Sequence, residues 1–192
     1  SKYEAGLLSS GLRVPAPDTF GPTTIDPEAP IGAVARAVLR RHFSAMLAHE
    51  PGTRLGDDTE ELHDMRVATR RLRAALALFS EALPASSTQL REELGWIGGA
   101  LGAVRDLDVQ LERMAEWRGS LAESQLHSLD SLEAILSTRR DLARRRMIRS
   151  LDSRRYERFV DRFTRFLEFG PPKTFGPGKL PITQVAPQIA GK

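Results

Sequence analysis

Between Leu62 and Phe79 the chain reads LHDMRVATRRLRAALALF, and two helical periodicities interleave there. Leu62, Met65, Thr69, Leu72, Leu76 and Phe79 recur at alternating three- and four-residue steps, which draws one stripe along an α-helix. His63, Arg66, Arg70 and Arg73 follow the same steps one residue later, a rotation of about 100° around the axis. One flank can therefore enter a core while its neighbour presents a row of cationic donors. That row is roughly 15 Å long, at a rise of about 1.5 Å per residue. Arg71 adds a charge between the two rows. From Arg66 to Phe79 no acidic residue occurs, so the row is not an alternating salt-bridge face. Like charges at these spacings repel unless an anion or a distant carboxylate relieves them. An elongated anion suits such a row better than a small one, and a plain solvated face is the alternative that spacing alone leaves open.

The rest of the chain supplies partners for this helix. Pro15, Pro17, Pro22, Pro27 and Pro30 exclude a continuous helix before Ile31. Pro171, Pro172, Pro177, Pro181 and Pro187, interleaved with glycines, do the same after Phe169. The pattern predicts a helical body over 31–169, flanked by linker-like segments over 1–30 and 170–192. A first helix is expected from Ile31 to His49, ended by Pro51-Gly52, with Val38, Leu39, Phe43, Met46 and Leu47 on its core face. Asp58 or Thr59 can cap the arginine-bearing helix, which is expected to run to about Leu83. A third helix is expected over Gln89–Trp117, a fourth over Leu121–Ser150 and a fifth over Asp152–Phe169. The fourth has core positions Leu129, Leu132, Leu136, Ala143 and Met147, and the fifth an aromatic stripe of Tyr156, Phe159, Phe163 and Phe166 with Val160 and Leu167. Glycines in GWIGGALGAVRD lower helix propensity, so close approach of a neighbouring helix is the expected reason for them. The fold class that follows is all-α, an antiparallel up-down bundle of four to five helices.

Composition narrows the function classes. No cysteine occurs, which removes disulfides and thiolate metal sites. His42, His49, His63 and His127 are scattered, and none pairs with a carboxylate at zinc-site spacing. No Walker loop, HExxH or GxSxG is present, nor an alternating ExExK strand of the kind a triphosphatase needs. No apolar run approaches the ~20 residues of a membrane span. No catalytic residue, metal or cofactor is expected, and a cytoplasmic location fits. Asp106 and Asp108, adjacent to Arg105, point apart on a helix and read as orienting arginines or neighbouring helices rather than holding metal. All four lysines, Lys2, Lys173, Lys179 and Lys192, lie in the terminal segments, so every basic residue of the helical body is arginine. A planar guanidinium grips phosphate oxygens in pairs.

The stretch HDMRVATRRLRAALALF resembles the signature helix of the CHAD family, the conserved histidine α-helical domain. GALGAVRDLDVQLERM (99–114) and RRYERFVDRFTRFL (154–167) resemble further parts of that family in the same order, so the likeness covers about 31–167. SKYEAGLLSSGLR at the amino end is similar to the end of a CYTH domain, a triphosphate-binding fold often joined ahead of CHAD domains. The resemblance implies an all-helical fold that binds inorganic polyphosphate through basic residues lining a groove or pore, and a second helical half for which no second HxxRxxxRRLR-like stretch occurs here. The expected polyphosphate contacts are Arg36, Arg40, His63, Arg66, Arg70, Arg71, Arg73, Arg105, Arg145, Arg149 and Arg155. Expected partners are polyphosphate or another polyanion, a second CHAD half or a CYTH domain, with a location alongside polyphosphate granules. A nucleic-acid binder and a purely structural helical adaptor are the rival classes. The central expectation is that guanidinium groups from several helices converge on one trough that few carboxylates neutralise.

Overall fold

The computed structural model describes residues 28–119 and 123–169, and its ordered elements are five α-helices. They are α1 (Ile31–Leu55), α2 (Thr59–Leu78), α3 (Ser87–Arg118), α4 (Glu123–Leu151) and α5 (Arg154–Phe169). The expected linkers and the CYTH-like stretch lie outside the described residues, Glu28 to Pro30 excepted.

The bundle closes on one apolar core. Leu39, Phe43 and Met46 of α1 are fully buried, as are Met65, Leu72 and Leu76 of α2 and Leu94, Ile97 and Leu101 of α3. The aromatic stripe of α5 completes it. Phe43 stacks on Phe163 with centroids 4.4 Å apart and meets Phe159 edge-on at 6.5 Å. Such pairs add about 0.5–1.5 kcal/mol each beyond the area they bury. The two-register reading of α2 holds: Leu62, Met65, Thr69, Leu72 and Leu76 are buried, while Arg70 and Arg73 are exposed.

Two boundaries and one core position differ from expectation, each for a tertiary reason. α1 runs through Pro51 to Leu55 instead of stopping at His49. Its end is fixed from outside: Gly56 adopts φ 78° and donates to the Gly52 carbonyl, and Arg144 of α4 donates to the carbonyls of Thr53, Arg54 and Leu55. Those are the acceptors a helix terminus leaves open. α2 ends at Leu78 rather than near Leu83, because successive turns carry both Phe79 and Leu83 into the core. Leu132, expected in the core, is exposed.

That last difference reflects the arm formed by α3 and α4. At 32 residues against 20, α3 outreaches α2 by roughly 18 Å, from a rise of about 1.5 Å per residue. Its far half packs with α4 around a separate cluster of Met114, Leu129 and Leu136, flanked by Leu107 and Leu111. Two helices alone bury one face each, which leaves Leu132, Ile135 and Leu142 in solvent.

Candidate functional site

The N-terminus of α2 is set by Asp58, whose carboxylate accepts from the backbone N–H of Glu60 at 2.8 Å. From that start Arg66, Arg70 and Arg73 emerge on the side of α2 that faces α3. Together with Thr69 they wall a hollow of about 520 Å³, whose other side is Leu94, Gly95, Gly98, Gly99, Gly102, Ala103 and Asp106 of α3. The Thr69 hydroxyl donates to the Met65 carbonyl, so the hollow meets its methyl side.

The charges on this hollow are unevenly occupied. Arg66 approaches the Asp106 carboxylate at 4.0 Å. Arg70 and Arg73 pair with no carboxylate among the described residues. Two guanidinium groups less than a turn apart therefore face the same space without an ion-pair partner among the described residues, Asp106 being the one carboxylate that lines it, an arrangement that favours an incoming anion.

The glycines of α3 do not serve the role expected from the sequence. They were expected to let a neighbouring helix approach closely. A Cβ at Gly98 would meet the Thr69 methyl at 3.5 Å, one at Gly102 the Arg66 Nε at 3.6 Å, and one at Gly95 the Arg73 Cζ at 3.7 Å. Those are ordinary contacts with side chains, so backbone crowding does not require glycine there.

The other expected contacts lie elsewhere. Arg105 is held by Glu112 at 2.7 Å, with Glu60 at 3.9 Å. Arg155 lies over the Trp96 ring at 4.2 Å and donates to Glu93. Arg40 donates to the Leu167 carbonyl at the end of α5. Arg36, beside it, has its pKa lowered by burial and then by the charge of Arg40. Arg71 points toward α1, where burial, then Arg71 and Arg41, hold His42 below the usual imidazole range. His63 is half-buried and does not line the hollow. Arg145 and Arg149 line a second recess of about 350 Å³ with Asp141, Arg144 and Ile148, all on α4. Among the described residues, the cations that line the hollow come from α2 alone, where convergence from several helices was expected. Spacing could not set Arg40 and Arg155 apart from the α2 row, because their partners, the Leu167 carbonyl and Glu93, lie 127 and 62 residues away.

Several of those partners are structural. Arg140 of α4 donates to Asp108, a buried carboxylate of α3, at 2.8 Å. Arg54 bonds Glu50, Asp152 and the Leu151 carbonyl, which ties the end of α1 to the α4–α5 turn. Burial alone would lower its pKa, but Glu50 and then Asp152 outweigh that and raise it. Tyr156 donates to Glu50 at 2.6 Å. Its own pKa is raised far above the usual phenol value by burial and then by the Glu50 charge. Asp106 and Asp108 do orient arginines, as their sequence context suggested. Among the described residues no group of histidines and carboxylates is placed to hold a metal ion, and no helix is long and apolar enough to cross a membrane.

Fold and hollow together define an all-α domain with an arginine-walled recess between two adjacent helices. The family model for the CHAD domain matches residues 37–192, and the chain belongs to that family. The crystal structure of the CHAD domain from the plant Ricinus communis is similar, with a TM-score of 0.70 and 27% identity. The match covers 88% of this chain and 54% of that one, so this chain spans about half the length of the solved relative. No curated protein matches the chain.

Proposed function

We propose that the chain is a non-catalytic module that binds inorganic polyphosphate in the hollow between α2 and α3. The observation that carries this reading is Arg70 and Arg73 on one wall, without a carboxylate partner among the described residues, with Arg66 beside them. The resemblance of the α2 stretch to the CHAD signature helix supplies the ligand class. Each charge-assisted hydrogen bond to a phosphate is worth about 1.5–3 kcal/mol, so a few guanidinium contacts suffice for useful affinity. The module acts in the cytoplasm, on polyphosphate as a solvated polyanion, and any hydrolysis of that polymer belongs to another domain.

A nucleic-acid ligand would use the same cations but gains much of its affinity from bases stacked on exposed aromatics. Among the described residues no aromatic side chain lines the hollow, which favours the polyphosphate reading. Titration with polyphosphates of defined length, across a range of salt, tests it. The wild-type chain should bind less tightly as salt rises, by analogy with counterion release from nucleic acid. Arg70→Ala with Arg73→Ala should weaken binding about 100-fold or more and reduce the log–log salt slope by about 2. Unchanged affinity and slope in that double variant reject the site.

A further inference from the structure

Gly95, Gly98, Gly99 and Gly102 recur at three- and four-residue steps along α3 and line the hollow opposite the arginines. Glycine inside a helix lowers stability relative to alanine, so four of them on one face require a compensating use. Tight packing is not that use. A Cβ would meet side-chain atoms at 3.5 Å or more at Gly95, Gly98 and Gly102, and nothing within 4 Å at Gly99. Methyl groups would fit, and the helix would gain from them. What they would consume is room in the hollow, and at Gly95 and Gly102 the bed on which Arg73 and Arg66 rest.

Two independent features meet here: a cavity of about 520 Å³ and a cation row whose Arg70 and Arg73 lack a resident counter-charge among the described residues. We infer that these glycines select the ligand of the site, an inference that rests on the polyphosphate reading above. Along the glycine strip of the α3 wall, between Leu94 and Asp106, an unsubstituted linear phosphate chain lies low against the helix, and the guanidinium groups fold down around it. Each unit of such a chain is a compact anion that carries nothing further. A nucleic acid bears a sugar and a base on every phosphate, so it reaches only the outer edge of the arginine row. The glycine wall is therefore a gauge of ligand thickness. It discriminates between two polyanions of the same charge, which the arginines alone cannot do.

The test uses the chain with two double substitutions, Gly98→Ala with Gly99→Ala and Gly95→Ala with Gly102→Ala. Long-chain inorganic polyphosphate and single-stranded DNA of matched charge are the probes, with a thermal melt of each variant. Expected are an unchanged or higher Tm, polyphosphate affinity down at least tenfold, and DNA affinity changed less than twofold. A lower Tm in both glycine variants would assign the glycines to packing and overturn the inference. Equal losses for both probes would overturn selection by thickness. Full polyphosphate affinity in the glycine variants, with loss in the Arg70→Ala, Arg73→Ala variant, would overturn the inference and leave the polyphosphate reading standing. Full affinity in the arginine variant as well would overturn both.

Discussion

Arg70 and Arg73 of α2 and Arg140 and Arg144 of α4 share a residue type and a spacing of three or four residues, yet the fold uses the two pairs in opposite ways. On α4, Arg140 neutralises buried Asp108, and Arg144 closes the open carbonyls at the end of α1. These side chains are half-buried, and their donors are spent on the protein itself. On α2, Arg70 and Arg73 stay exposed beside a wall in which four glycines stand. The difference lies in what the neighbouring helix offers. A carboxylate or a helix terminus fixes a guanidinium in place, whereas a glycine face leaves its donors for something else. A count of arginines measures neither.

Substitutions can sharpen or break this contrast. The largest effect on binding belongs to the paired change at Arg70 and Arg73, and the contrast requires that it leave stability within about 0.5 kcal/mol, as for ordinary surface positions. A fall of several degrees in Tm would place those residues with the structural set. The largest effect on folding belongs to Arg140→Ala. It strands the Asp108 carboxylate, which is only 4% exposed, and breaking one side of a buried pair costs about 3–5 kcal/mol. Urea denaturation reads that loss, and polyphosphate affinity of the folded fraction should not change. If affinity fell with it, the two sets would be coupled rather than separate.

Tyr156→Phe comes next. Loss of the hydrogen bond to the Glu50 carboxylate should cost about 1.5–3 kcal/mol. The sign of its pH dependence follows from the raised pKa of the phenol. Above pH about 10 an unfolded tyrosine releases its proton while the folded one keeps it, so stability falls as pH rises. Denaturation curves at pH 8 and pH 11 should show that fall in the wild type and a weaker one in the variant. An identical fall in both would assign it to other groups. The smallest effect is expected at Asp106, whose exposed carboxylate stands at 4.0 Å from Arg66 within the hollow. Asp106→Asn removes a like charge from the path of an anion and should tighten polyphosphate binding by a factor of about 2–5, in line with a surface ion pair worth under about 1 kcal/mol. Weaker binding instead would mean that Asp106 holds Arg66 in its working position.

Much of this molecule is legible in one dimension. The period of about 3.6 residues in Leu62–Phe79 and in the Tyr156–Leu167 stripe sets out amphipathic helices, and Pro30 and Gly119 mark the start of α1 and the end of α3. The relation between core stripe and cation row on α2 is equally a property of the sequence, since both rows are read on a single helix axis. Tertiary structure decided the rest. α1 passes through Pro51 because an arginine 90 residues away from Arg54 caps its end, and Leu132 is exposed because only two helices form the arm around it. Likewise Arg155 is held by Glu93, 62 residues away on α3, rather than left for a ligand. Periodicity fixes which way a side chain leaves its own helix. It carries no information about which acceptor, carboxylate or bare glycine face a distant segment will bring opposite, and that pairing separates a binding arginine from a structural one.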